Sequence, residues 1–164
     1  MCGFAEILKH SLIYDNKFFN SLNKNTENIL RKFDFEIIRA VITKSCKIKL
    51  HFVNQDEREN NKRMILNFGH TFAHGIEAAN GYSRKINHGE AVLMGMILAT
   101  RLSFRKKICS YNTLNKIENI YETNNLPKNL TNFFSKKSLD RIVNFMEIDK
   151  KNYDNKINLI LLKR

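Results

Sequence analysis

Apolar residues recur at intervals of three and four through almost the whole chain, the period of an α-helix with one face in a core. FAEILKHSLIY puts Phe4, Ile7, Leu8 and Leu12 on one such face. FEIIRAVITKSCKIKLHFV predicts a long amphipathic helix with Ile38, Val41, Ile42 and Cys46 turned inward. RMILNFGHTFAHGIEAANG predicts another, stopped by Asn80-Gly81, a pair suited to a left-handed C-terminal turn. HGEAVLMGMILATRLSFRKK follows and finishes with cations that favour a helix C-terminus. LNKIENIYETNN and KSLDRIVNFM read as two shorter helices, and Pro127, the only proline, marks the break before the last stretch. INLILLKR is the single β-like run. The expectation is one mostly α domain over residues 1–164, with at most a short terminal β element.

The 164 residues are 43% hydrophobic, enough for a real core. A net charge of +12 invites a nucleic-acid reading. The basic residues are spread along the whole chain, however, and accompany an abundance of Asn, Ile and Phe. They read as a solvated surface with some attraction for an anionic ligand, and no nucleic-acid partner is expected. The three cysteines, at positions 2, 46 and 109, form no Cys-x-x-Cys pair. That argues against a disulfide framework or a cysteine zinc site and fits a reducing cytoplasm. The N-terminus shows no basic region followed by an apolar core, so no signal peptide is expected. The most apolar stretch, AVLMGMILAT, is too short to span a bilayer, and no membrane partner is expected.

If residues 63–77 form one helix, Arg63, Asn67, His70, His74 and Glu77 fall within roughly 80° of one another. Ile65, Phe68, Phe72 and Ile76 then face the core. A merely solvated stripe would be Lys, Glu and Gln, whereas His and Asn are mediocre helix formers. The chain has only five histidines, and a third, His88, opens the next helix. The loop YSRKIN makes the two helices antiparallel neighbours, which does not by itself bring His88 to His70. Two neutral imidazoles and a carboxylate suit a catalytic zinc site with an open fourth position. Glu6, Glu77 and Glu90 are all available as that carboxylate, and spacing does not choose among them.

GFAEILKHSLIYDNKFF, KLHFVNQDERENNKRMILNFGHTFAHGIEAANGY and INHGEAVLMGM resemble, in order and spacing, the C-terminal domain of 3-dehydroquinate synthase. The likeness runs from Gly3 to about Leu162 and includes Gly-His-Thr-Phe-x-His-x-Ile-Glu and His-Gly-Glu-Ala-Val. The resemblance implies conversion of the seven-carbon phosphorylated sugar acid DAHP into 3-dehydroquinate with loss of phosphate, in the shikimate pathway. It also implies transient use of NAD and a divalent metal, zinc or cobalt. It implies Glu6, His70 and His88 as metal ligands, and Lys9 and Asn67 on substrate hydroxyls. Lys49 and Arg63 would hold the substrate carboxylate, the latter through its bidentate fork. His74 would lie near the phosphate and shuttle protons, making His74 and Lys9 the catalytic pair. Lys150 or Lys151 would also reach the phosphate.

Ala73 stands where the family usually has Gly. The six glycines, at 3, 69, 75, 81, 89 and 95, form no dinucleotide fingerprint, so no residue is assigned to NAD. The family's N-terminal NAD-binding domain is expected to be absent, and with it catalysis by these residues alone. A separately encoded N-terminal domain is then an expected partner, as is a second copy, since the intact family is homodimeric. Competing readings are a non-catalytic remnant or partner subunit, a sister sugar-phosphate cyclase, and a metal-dependent alcohol dehydrogenase. The complete set Glu6, Lys9, Lys49, Arg63, Asn67, His70, His74 and His88 argues against long decay and for the carboxylate- and phosphate-binding enzyme.

Overall fold

A computed structural model of the protein describes residues 1–83, 85–132, 134–148 and 157–163, without the side chains of 132 and 136–138. Seven α-helices lie among them: α1 (Cys2–Tyr14), α2 (Asn16–Leu30), α3 (Phe35–Gln55), α4 (His70–Ala79), α5 (His88–Arg105), α6 (Tyr111–Thr123) and α7 (Lys136–Ile148). Two 3₁₀ turns, Lys62–Asn67 and Leu130–Asn132, complete the order. The mostly α expectation holds.

The centre is α5, from which Val92, Leu93, Met94, Met96 and Ile97 are wholly buried. Such all-round apolarity belongs to a helix enclosed by others. α1, α4 and α6 pack around it, with α7 on α4 and with α2 and α3 on α1. Its start is encoded locally: Asn87 Oδ1 accepts the Glu90 N–H, and Glu90 Oε2 accepts the Asn87 N–H. That reciprocal cap makes His88 the first helical residue. Tyr121 of α6 is fully buried, and its hydroxyl donates to the Leu93 carbonyl at 2.7 Å.

Three expectations need correction. The first is the continuous Arg63–Glu77 helix. Residues 62–67 form the 3₁₀ turn, and α4 begins at His70 after Gly69, whose φ of 79° is left-handed. A side chain on Gly69 would stand 2.7 Å from the Met96 nitrogen, while one on Gly95 would collide with the Gly69 carbonyl oxygen. The two backbones touch there, and α4 must start afresh against α5. The Asp56 carboxylate gathers the turn below by accepting N–H groups from Asn60, Asn61 and Arg63. Of the apolar residues given to the core side, Phe68 and Ile76 are wholly buried, whereas Ile65 and Phe72 are half-buried.

The second correction is the phase of α3. Val41, Ser45 and Ile48 are its buried residues, while Ile42 and Cys46 are exposed and Ile38 is half-buried. The third is the terminal β element: residues 157–163 form no strand. Leu162 instead enters the core, and its N–H donates to the Ser103 hydroxyl at 2.9 Å. The Thr71 hydroxyl donates to the Asn158 carbonyl at 3.0 Å, so the run lies irregularly across α4 and α5. Among the described residues no helix is long and apolar enough to cross a membrane.

Candidate functional site

α1 presents Glu6 and Lys9 one turn apart on the side facing the start of α4. The buried Lys9 ammonium bridges both Glu6 oxygens, at 2.8 and 2.9 Å. Burial pushes the Glu6 carboxyl up, but the charge and hydrogen bond of Lys9 outweigh it and hold the group below its ordinary value. His70 opens α4 with its Nε2 3.8 Å from Glu6 Oε1. Its Nδ1 lies 3.3 Å from the Phe68 carbonyl. Burial, reinforced by the Lys9 charge, pushes the His70 imidazole down to about 4, so the ring is neutral at neutral pH.

The His70 ring centroid is 5.8 Å from that of His88 and 5.9 Å from that of His74. Antiparallel packing alone would set the starts of α4 and α5 up to about 15 Å apart, the rise of the ten-residue α4, so the two side chains reach toward each other along the gap between the helices. Glu77 Oε1 lies 3.0 Å from His88 Nδ1. Both rings thus have Nδ1 within reach of a protein oxygen, which leaves Nε2 as the nitrogen that would turn to a cation. Among the described residues no three His, Cys, Asp or Glu side chains stand ready to hold a metal ion. Glu6 is turned to Lys9, and His88 is half exposed.

The donor chemistry nevertheless fits a divalent cation. A carboxylate and two imidazoles, each with its other ring nitrogen beside a protein oxygen, form a recognised zinc set.

The remaining expected residues are distributed around this group. Lys49, on the exposed side of α3, lines a largely apolar cavity of about 480 Å³ together with Glu6 and His10. Arg63 and Asn67 sit on the 3₁₀ turn rather than on the helix of the histidines. Glu59 connects them, accepting from Asn67 Nδ2 at 2.6 Å and lying 3.8 Å from Arg63 Nε. Arg63 Nη1 also donates to the Glu57 carbonyl at 2.7 Å. Lys150 and Lys151 lie outside the described residues.

A family model described as 3-dehydroquinate synthase C-terminal matches residues 3–152. The chain belongs to that family. Curated 3-dehydroquinate synthases are close relatives: that of Pelagibacter ubique is 48% identical over all of this chain and 44% of its own length. That of Dictyoglomus thermophilum is 41% identical over 98% of this chain and 43% of its own. The chain thus spans less than half the length of the 3-dehydroquinate synthases it matches. A solved 2-epi-5-epi-valiolone synthase from Streptomyces hygroscopicus, with NAD+ and Zn2+ bound, has the same fold over 98% of this chain and 43% of its own. Its TM-score is 0.80 at 21% identity.

Within this 3-dehydroquinate synthase C-terminal fold, four polar residues at the site were not singled out from the sequence. Glu59 and Asp56 stand in QDEREN, which reads as a charged loop. His10 and Ser45 are buried and paired, His10 Nδ1 lying 2.7 Å from Ser45 Oγ. The one available signal was the contradiction of a histidine and a serine on helix faces that otherwise read as apolar.

Proposed function

We propose that these residues are the metal- and substrate-binding part of a 3-dehydroquinate synthase, which converts DAHP into 3-dehydroquinate with loss of phosphate. The observation that carries this reading is the placing of His70 beside both other residues, its Nε2 3.8 Å from Glu6 Oε1 and its ring centroid 5.8 Å from that of His88. A divalent metal held by these three would polarise a bound hydroxyl group. Lys9 and Asn67 would bind hydroxyls; Lys49 and Arg63 would hold the substrate carboxylate; His74 and a lysine of the 150–151 pair would take the phosphate. Glu59, by clasping Arg63 and Asn67, would set how those two side chains present themselves. The nucleotide is a different matter. Among the described residues no glycine-rich turn joins a strand to a helix, so they offer no cradle of that kind for a dinucleotide.

The test supplies the rest of the relatives' length. The chain is co-expressed with, or fused to, the preceding part of the Pelagibacter ubique enzyme, and phosphate release from DAHP is assayed with NAD+ and zinc. Turnover is expected from the combination and not from the 164 residues alone, with His70→Ala and Glu6→Gln each lowering it more than about 100-fold. No turnover in the combination overturns the reading. Turnover only of a sugar phosphate lacking the carboxylate points to a sister cyclase, the second reading favoured by the shared fold.

A further inference from the structure

His10 is 3% exposed, and its Nε2 has no hydrogen-bond partner. An orphaned buried donor costs about 1–3 kcal/mol. A phenylalanine would occupy much the same space among Phe4, Ile7, Ile29 and Ile38 without that cost. The second nitrogen therefore calls for an acceptor, and one faces it: Glu6 Oε2, 3.9 Å away. That is too long for a hydrogen bond, and a shift of about 1 Å would make it one. The two oxygens of Glu6 look in different directions, Oε1 toward His70 Nε2 at 3.8 Å and Oε2 toward His10. The other side of the His10 ring is fixed by Ser45, buried on α3, whose hydroxyl lies 2.7 Å from Nδ1. A hydroxyl can donate to an unprotonated Nδ1, which leaves the single proton of the neutral ring on Nε2, aimed at Glu6.

We propose that His10 is the positioning residue of the metal site: held by Ser45, it donates Nε2–H to Glu6 Oε2 when Oε1 joins His70 and His88 on a divalent cation. A ligating carboxylate would otherwise keep one oxygen without a fixed partner once it turns from Lys9. Ser45–His10–Glu6 supplies that partner from the helix behind, so α3 shapes the site although it contributes no ligand to it. The proposal rests on the metal reading of Glu6, His70 and His88.

Zinc affinity of the full chain is measured by competition with a chromogenic chelator, alongside the visible spectrum of the cobalt-loaded chain. His10→Phe and Ser45→Ala are expected to weaken zinc binding about 10- to 100-fold, as loss of an outer partner does, and to alter the cobalt bands. His10→Gln, whose amide keeps a donor near the position of Nε2, should regain most of the affinity. Circular dichroism checks the fold. Should His10→Phe unfold, Ser45→Ala and the ring tautomer, read from ¹⁵N-histidine NMR of the unsubstituted chain, still decide. An Nδ1–H tautomer, or wild-type zinc affinity and spectrum in folded His10→Phe, overturns the proposal. If Glu6→Gln leaves zinc affinity unchanged, the metal reading itself has failed, and the positioning role falls with it.

Discussion

At the scale of single residues, two imidazoles are kept neutral by where they sit. Burial is the main cause for both His70 and His10, with the Lys9 ammonium adding to it, and each falls from 6.5 to about 4. A neutral ring is the form that ligates a cation. The same depression has a consequence for stability. In the unfolded chain both rings take up protons below about 6.5, whereas in the folded chain they do so only near 4. The unfolded state therefore binds more protons across that window, and stability present above pH 6.5 drains away as the pH falls toward 4. The urea midpoint of the metal-free chain is expected to drop over this interval, and His10→Gln should shallow the drop. A flat profile between those limits would show that neither ring is protected. The sequence could not reveal this pair in full. His70 stood out beside His74, but a lone His10 among Ile7, Leu8 and Leu12 looks like an ordinary core position until Ser45 and Glu6 are seen around it.

At the scale of elements, what could be read depended on whether the determinant was local. The start of α5 was legible because Asn87 and Glu90 cap it across three residues. The Asn80-Gly81 stop was legible for the same reason, and Gly81 has a φ of 62°. The break before α4 was not, since a lone glycine inside a helical pattern is tolerated in isolation. Its left-handed turn answers to Gly95, distant in sequence and pressed against it. The inward face of α3 was misjudged likewise: by hydrophobicity alone Ile42 and Cys46 outrank Ser45, but Ser45 has a buried histidine to bond. Gly95→Ala should therefore destabilise the chain by about 1–3 kcal/mol or more, because the group it strikes is backbone and cannot rotate away. It should also draw His70 away from His88 and weaken zinc binding. Gly81→Ala meets open space and carries only the strain of its φ, roughly 1 kcal/mol. Thermal melts of the two variants give the comparison, and equal losses would show that the α4–α5 contact is compliant.

At the scale of the whole molecule, the helical class was plain because period three-and-four spacing pervades the chain, while the fate of its last residues was not. INLILLKR has a strand's composition, but a lone strand with no neighbour to pair with has no stable place of its own. Residues 157–163 lie instead across α4 and α5, with Leu162 in the core and its N–H on Ser103. Leu162→Ala is expected to cost about 2–4 kcal/mol, the loss of a buried side chain plus the cavity it leaves. A change below 0.5 kcal/mol in urea unfolding would mean that the tail is not seated. The contact of Gly69 with Gly95 has a different bearing, on how such a protein can be altered. Main chain abuts main chain there, so the gap between the two candidate ligand-bearing helices is indexed by backbone atoms, which a side chain added at either glycine would push apart. A library that randomises Leu93, Met94 and Ile97 together would trade packing quality while keeping the two imidazoles in register. One that spares those bulky residues and varies the two smallest would lose the register at the first methyl group.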